Sequence, residues 1–466
     1  MMLLSNVVQA LNGQLIGEDV QFSGVSSDSR KISQGDLFVA LRGEHFDGYK
    51  FIKNAVGEGA VAVLANSDSY HDEQPNCPLL LVENTQIALG LLAAYWRKQF
   101  QMPLIAITGS NGKTTVKEML VSILRVSAGS LDAVLSTEGN LNNHIGMPLT
   151  LLQLNEAHRY GVIEMGMNHP GEIDYLSRIA APDVVLINNA SGAHLEGLGS
   201  VNAVAHAKGE ILNGLSAHGT VVINADDEHA PLWRELSGAR QLLEFGLHSE
   251  ADVRGTWQSE EKGVRLDVTS PHGRFCVVLQ VAGEHNVLNA LAAITVAISF
   301  NVPLEKIVDG LESFGGVAGR LQYKAGLCGA MLIDDSYNAN PASMSAAIKV
   351  LSNAKGRQVL VIGDMGELGG ESIKFHEAIG KEAKRAGIDK LFTLGKLSKS
   401  AAHEFGDGAQ HFEKIEKLLP ILEDELDEST TLLVKGSRFM RMERVVQFLE
   451  EGEKMGSSLM REMSCS

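Results

Sequence analysis

Residues 104–120 read LIAITGSNGKTTVKEML. The apolar run ending at Thr108 predicts a strand, Gly109 and Gly112 predict a tight turn, and from Val116 onward apolar residues recur at helical spacing. Strand, Gly-rich turn and helix in that order arrange backbone N–H groups and a helix N-terminus around a phosphate. Lys113 would then reach the β- and γ-phosphates of a nucleotide and the Thr114 hydroxyl would serve Mg²⁺. The nucleotide-binding set read from this stretch is Gly109, Ser110, Asn111, Gly112, Lys113, Thr114 and Thr115. It departs from the usual GxxxxGK[ST] form, because Ile107 stands where the first glycine belongs. A bare strand–helix turn is the alternative, and GKTT at such a junction argues against it.

On both sides of this stretch, short apolar runs alternate with helical patterns, the mark of an α/β chain with largely parallel sheets. Strands are expected at Leu104–Thr108, Tyr160–Met165, Val184–Asn188, Val221–Asn224, Gln358–Ile362 and Thr431–Val434. Most run directly into Gly, Asn or Asp, and the carboxyl ends of parallel strands are where binding loops lie. Gln86–Phe100 reads as an amphipathic helix, and glycines cluster in SFGGVAG at 313–319. Three blocks follow: 1–84, 85–314 and 315–466. The tail after Glu450 is expected to fray.

A chain of 466 residues exceeds one hydrophobic core, and 44% hydrophobic with 21% charged residues is ordinary globular composition. The net charge of -17 argues against nucleic-acid binding, although a local basic pocket for an anionic substrate is compatible with it. Cys77, Cys276, Cys328 and Cys465 form no CxxC pair, so neither zinc nor a redox centre is expected, and free thiols fit a reducing cytoplasm. The opening MMLLSNVVQALNGQLIG lacks a basic n-region, and no run approaches the roughly 20 apolar residues that span a bilayer. Neither a signal peptide nor membrane insertion is expected.

Two more strand ends carry polar chemistry. Glu164 closes one strand, and His194 lies in the loop NNASGAHLEGLGS after another. A carboxylate and an imidazole at neighbouring tips could complete a Mg²⁺ site, though oxygen ligands are commoner and a loop histidine is more often a surface residue. Lys208, in VAHAKGEIL, reads by itself as an ordinary helix lysine reaching for water.

With GSNGKTT, Glu164 and His194 in order, the chain resembles the Mur ligases, the ATP-dependent amide-forming family that builds the peptidoglycan stem peptide. EHNVLNALAA at 284–293, GRLQ with Arg320, IDDSYNANPASM at 333–344, GDMGELGG at 363–370 and VKGSR at 434–438 extend the resemblance to about residue 450. TEGNLNNHIGMPLTLL, SYNANP and DMGELG resemble the branch that adds D-alanyl-D-alanine. The DNPR motif of the diaminopimelate-adding branch is absent, KLFTLGKLSKS standing in the comparable stretch. SSDSRKISQGDLFVALRGEHFDGYKF resembles the family's uridine-nucleotide module.

The resemblance implies three domains, with a central P-loop ATPase-like parallel-sheet domain and a Rossmann-like C-terminal domain. It implies ATP and Mg²⁺ as cofactors, and UDP-N-acetylmuramoyl-tripeptide and D-alanyl-D-alanine as substrates. A cytoplasmic monomer is expected. By the same resemblance Asn289 lies near the adenine, Arg320 reaches the nucleotide phosphates and Asp335 meets the ribose. Thr114, Glu164, His194 and Lys208 serve the metal, Lys208 as the lysine that relatives carbamylate. Lys113, Glu164, His194, Lys208 and Arg320 form the catalytic set. Ser29, His45 and Asp47 fall on the uridine side, Asn142 and Asn143 on the muramoyl-peptide side, and Asn338 and Asn340 around the dipeptide. Asn142 and Asn143 could equally organise a loop, as DSR and FDG could be plain turns. Two rival readings stand beside this one: another ligase of the superfamily, such as a folylpolyglutamate or cyanophycin synthetase, and a P-loop ATPase whose nucleotide drives a conformational switch.

Overall fold

The computed structural model describes residues 2–43, 46–69, 77–192, 195–260 and 263–451. Three large sheets follow one another along the chain; one apolar cluster runs through the first and second, and each sheet also packs clusters of its own.

The first holds β1 (Gln14–Ile16), β2 (Gly24–Ser26), β3 (Asp36–Val39), β4 (Ala62–Asn66) and β5 (Leu79–Val82), in the order β1-β5-β4-β3-β2. All neighbours are parallel except β1 on β5. Helix α1 (Thr85–Arg97), capped by the Asn84 side chain on the amides of Gln86 and Ile87, leads into the second sheet.

That sheet is built from β6 (Leu104–Thr108), β7 (Val134–Ser136), β8 (Tyr160–Glu164), β9 (Val184–Ile187), β10 (Thr220–Asn224) and β11 (Gln241–Gly246), which are parallel. It ends in β12 (Val253–Glu260), β13 (Gly263–Ser270) and β14 (Gly273–Leu279), of which the last two pairings are antiparallel. This antiparallel extension was not in the sequence expectation, which had largely parallel sheets throughout. Its cause is the short turn between strands, too short for a helical crossover. The order is β14-β13-β12-β11-β10-β9-β6-β8-β7. The chain leaves β6 for one side of the sheet and returns through β9 on the other. β6 is therefore the switch point, where a crevice opens beyond the strand ends.

All five residues of β6 are buried, as a strand covered on both faces requires. Gly112 takes a left-handed φ of 79°, and α2 (Lys113–Ala128) starts immediately after it. Val116, Met119, Leu120, Ile123 and Leu124 form the buried stripe of α2. Against it pack α4 (Glu284–Ser299) and α5 (Leu304–Glu312), so the helix that springs from the phosphate loop is held from behind.

The third sheet contains β15 (Gln322–Ala325), β16 (Met331–Asp335), β17 (Arg357–Gly363), β18 (Lys390–Leu394), β19 (Ala409–Phe412) and β20 (Thr430–Lys435), ordered β15-β16-β20-β17-β18-β19. Only β15 runs antiparallel to its neighbour. Helix α6 (Pro341–Ser352) follows β16 and is capped by Asn340. The six strands expected from sequence are all present, with ends within a residue of those expected.

Gly310 of α5 lies so close to α2 that a Cβ there would run into the Ile123 backbone. Gly310→Ala should cost about 1–3 kcal/mol, the range for overpacking a core. Urea unfolding followed by Trp fluorescence should show an earlier transition, and an unchanged midpoint would contradict this packing.

Candidate nucleotide and ligation site

Register sets the site. Glu164 pairs with Ile107 and Ile187 with Thr108, so Gly109, Glu164 and Asn188 stand at one edge of the sheet. The phosphate loop is fixed there by the loop after β9. Ser110 N–H donates to the Asn189 carbonyl (3.0 Å), and Asn111 N–H donates to Asn189 Oδ1 (2.9 Å). The Asn188 and Asn189 amides both donate to the Asn111 carbonyl, and Asn188 also donates to Asn289 Oδ1 (3.0 Å). A Cβ on Gly112 would collide with these Asn188 and Asn289 side chains.

Lys113 folds back to donate to the Gly109 carbonyl (2.6 Å). Burial pulls its pKa below the ordinary lysine value, Glu164 opposes that pull, and Arg320 adds to it. The Thr114 hydroxyl donates to Glu164 Oε2 (2.9 Å), and the Asn142 amide donates to Glu164 Oε1 (2.9 Å). Glu164 is buried, and its own N–H donates to the Thr137 hydroxyl (2.9 Å).

From the third sheet, an Arg320 terminal nitrogen donates to the Thr114 hydroxyl (3.0 Å), with the guanidinium 4.4 Å from the centre of the Tyr337 ring. Its buried Nε has no hydrogen-bond partner among the described residues. Asp335 and Lys435 end adjacent parallel strands in direct register and form a 2.6 Å ion pair. Burial pushes the Asp335 carboxyl up, and Lys435 works against that shift. Together these residues line a cavity of about 360 Å³, which also receives His285, Asn286, Asn338 and Ser343. Burial holds the His285 imidazole at a pKa of about 4, so it is neutral near pH 7.

The cavity brings together Ser110, Asn111, Gly112, Lys113, Thr114, Thr115, Glu164, Asn289, Arg320, Asp335, Asn338 and Asn340 from the sequence expectation. Gly109 adjoins it through the Lys113 contact. Asn340 has both ends of its amide engaged, Oδ1 on the Ser343 N–H and Nδ2 on Asn111 Oδ1 (2.8 Å), so it joins the third sheet to the phosphate loop. Asn143 accepts from the N–H groups of Ile145 and Gly146 and organises its loop. Asp47 likewise accepts from the Tyr49 N–H. Ser29 lies half-buried in the loop after β2. His45 and His194 lie outside the described residues.

Lys208, on α3 (Val201–Gly209), is 2% exposed and forms no hydrogen bond or ion pair among the described residues. Burial, and then the charge of Lys113, push its pKa well below the ordinary lysine value. Sequence reasoning did not single out Asn188, Asn189, His285, Tyr337 or Lys435 as site residues. Asn188, Asn189 and Lys435 stand at strand ends that it had already located, which was the available signal.

A second cleft of about 980 Å³ runs between the edge strand β2 and the central unit. Ser26, Ser27, Asp28 and Lys31 line one wall, and Trp96 and Leu141 line the other. Leu141 immediately precedes Asn142, which touches Glu164.

The chain matches three family models. Residues 21–97 match the one described as Mur ligase family, catalytic domain; residues 107–297 the Mur ligase middle domain; and residues 319–438 the Mur ligase, glutamate ligase domain. It is 41% identical to the UDP-N-acetylmuramoyl-tripeptide–D-alanyl-D-alanine ligase of Escherichia coli (strain K12), over 96% of this chain and 98% of that one. Identity to the Bacillus subtilis (strain 168) enzyme of the same name is 35%, with the same coverage. Among solved structures, MurF from Acinetobacter baumannii superposes with a TM-score of 0.89 at 37% identity, covering 96% of this chain and 98% of that one. The MurF ligase of Thermotoga maritima in complex with ADP gives 0.81 at 27% identity, covering 93% and 99%.

Gly112→Ala places a methyl group against Asn188 and Asn289 at a left-handed φ. Affinity for an ATP analogue, read by calorimetry, should fall at least about tenfold, which corresponds to about 1.4 kcal/mol. Parental affinity would mean that the loop does not cradle phosphates.

Proposed function

The chain belongs to the Mur ligase family, and from that premise we infer the reaction: it joins D-alanyl-D-alanine to UDP-N-acetylmuramoyl-tripeptide, consuming ATP and releasing ADP and phosphate. The product, a UDP-muramoyl-pentapeptide, is the cell-wall precursor, which ties the enzyme to peptidoglycan synthesis, cell shape and division. The observation that carries this reading is the contact of Arg320 with Thr114 opposite Glu164, which builds one site from two units of the chain.

A carboxylate is a poor electrophile, and amide formation from it is uphill in water. Transfer of the γ-phosphoryl group of ATP to the tripeptide carboxylate gives an acyl phosphate and ADP. The dipeptide amine attacks the acyl carbon and loses a proton, and the C–O bond to phosphate breaks. The protein's part is positioning and charge neutralisation. Lys113 and Arg320 are the cations at the loop, and the Nε of Arg320 is a donor with no acceptor among the described residues. Lys435 is neutralised by Asp335, so it holds the Asp335 carboxylate in place for a ribose rather than meeting phosphate.

The donors present fit Mg²⁺. Thr114 and Glu164 offer hard oxygen atoms, and no group of three or more His, Cys, Asp or Glu side chains forms a cage among the described residues. Mg²⁺ is commonly held in this way, by one or two protein oxygens with phosphate and water completing its shell. When bound, it offsets phosphate charge. Thr114 and Glu164 would hold one ion, and His194 and Lys208 would serve a second.

We place the unit boundaries after residues 84 and 314. The first unit takes the uridine side, with Ser29, His45 and Asp47 near it. Lys31 in the large cleft supports an anionic substrate there, and Leu141 leads from that cleft to Asn142 at Glu164. Asn338 and Asn340 border the dipeptide, and Asn289 the adenine. Location in the cytoplasm follows from the nucleotide substrates, and no described helix is long and apolar enough to cross a membrane.

We propose that Lys208 is carbamylated in the active enzyme. Its burial, with no hydrogen bond or ion pair among the described residues, and its lowered pKa favour the neutral amine, which adds CO₂ and releases a proton to become an anionic oxygen ligand. Lys208→Ala should be nearly inactive and partly restored by a short carboxylic acid, whereas Lys208→Arg should stay inactive. Rescue by a small amine alone would establish a cationic role instead.

Phosphate release should depend strictly on both UDP-muramoyl-tripeptide and D-alanyl-D-alanine, and Lys113→Ala should lower it by far more than tenfold. Release with either substrate missing would favour an ATPase switch. Efficient ligation of free diaminopimelate to a UDP-muramoyl-dipeptide would place the chain in the wrong branch.

A further inference from the structure

Behind Glu164 lies a cation that the mechanism above does not use. Lys117 stands one turn of α2 beyond Lys113, is 1% exposed, and does not line the nucleotide cavity. Its ammonium donates to the Thr137 carbonyl and lies 2.8 Å from the carboxylate of Glu118, which is itself over a third exposed. Thr137 is fully buried at the end of β7, where its N–H donates to the Val162 carbonyl (3.1 Å) and its hydroxyl accepts from the Glu164 N–H. The chain then runs on to Asn142, whose amide grips Glu164 Oε1 and whose carbonyl accepts from the Gly166 N–H (2.9 Å).

Glu164 is thus held from three directions. Thr114 reaches it from α2, while Thr137 and Asn142 belong to the segment that Lys117 anchors to α2. Desolvating an ammonium is costly, and among the described residues its one buried partner is a neutral carbonyl. Packing alone would be served at least as well by a methionine of similar length. The charge is explained if a firm tether is needed at this point.

We propose that Lys117 is a positioning residue for the ligation reaction: it ties the phosphate-loop helix to the 137–142 segment and so fixes the separation of the Thr114 hydroxyl and the Glu164 carboxylate. The proposal rests on the assignment of Thr114 and Glu164 as the protein's oxygen ligands for the divalent ion.

The test uses the full chain with a non-hydrolysable ATP analogue and reads Mn²⁺ binding by electron paramagnetic resonance, beside kcat and KM. Lys117→Met should weaken Mn²⁺ at least tenfold and lower kcat while KM for ATP stays within twofold. Excess Mg²⁺ should restore part of kcat, and Lys117→Arg, which keeps a donor for the carbonyl, should recover most of the Mn²⁺ affinity. Thr137→Val removes the hydroxyl that meets Glu164 but keeps the carbonyl that Lys117 holds. It should reproduce the Mn²⁺ defect through Glu164, and Lys117→Gln, too short to hold the Thr137 carbonyl as the lysine does, carries the test if Lys117→Met fails to fold. Parental Mn²⁺ affinity in the folded variants, with Glu164→Gln weakened, would overturn the role of Lys117 alone. Parental affinity in Glu164→Gln would remove the metal assignment beneath it, and the proposal with it.

Discussion

A carboxylate buried at the tip of a parallel strand has to be matched donor by donor, and the site is arranged around doing this for Glu164. The Thr114 hydroxyl and the Asn142 amide take its two oxygens, and the Thr137 hydroxyl takes its N–H. These partners come from a helix, a loop and a neighbouring strand. Placing them together requires β6, β7 and β8 in parallel register, with α2 rising directly from the turn after β6. The strand order, the left-handed Gly112 and the apolar back of α2 all serve that one placement.

The third sheet completes the arrangement from the other side. Arg320 reaches Thr114 while its guanidinium lies over Tyr337, whose ring also carries Arg438 at 5.5 Å. An aromatic face steadies a cation without cancelling its charge, as a carboxylate would. The cavity thereby keeps the positive charge that a transferring phosphoryl group needs, whereas Lys435 and Asp335 neutralise each other a short way off. Gly319, at φ 71° beside Tyr337, lets the chain turn from the linker into this stack. Asn340, bound to Asn111 across the same boundary, makes the phosphate loop and the third sheet one surface.

What could be read from the sequence was whatever is encoded locally. The run from Leu104 to Leu120 predicted strand, turn and helix because apolar periodicity and glycine placement act over a few residues. Glu164 was legible because it ends a strand that was itself legible, whereas Asp335 came from the family resemblance of the stretch 333–344, its strand not having been read from the apolar pattern. The match of Asn142 to Glu164 was not legible, since 22 residues separate them and Asn142 reads equally as a turn former. Nor was the pairing of Asp335 with Lys435, 100 residues apart, whose closeness depends on β16 and β20 being neighbours. Lys117 looks like any helix lysine until the fold shows it almost wholly buried. The antiparallel extension was within reach, because the buried-exposed alternation of β12 and β13 is a period-two signal.

The proposed reaction stands on phosphoryl transfer to the tripeptide carboxylate between Lys113, Arg320 and the Thr114–Glu164 pair. Its most direct test is to supply UDP-muramoyl-tripeptide labelled with ¹⁸O in the terminal carboxylate, together with ATP and D-alanyl-D-alanine, and to weigh the phosphate released. Passage through an acyl phosphate predicts one labelled oxygen in each phosphate, carried there when the C–O bond breaks. Phosphate free of label, with pentapeptide product still forming, would contradict it.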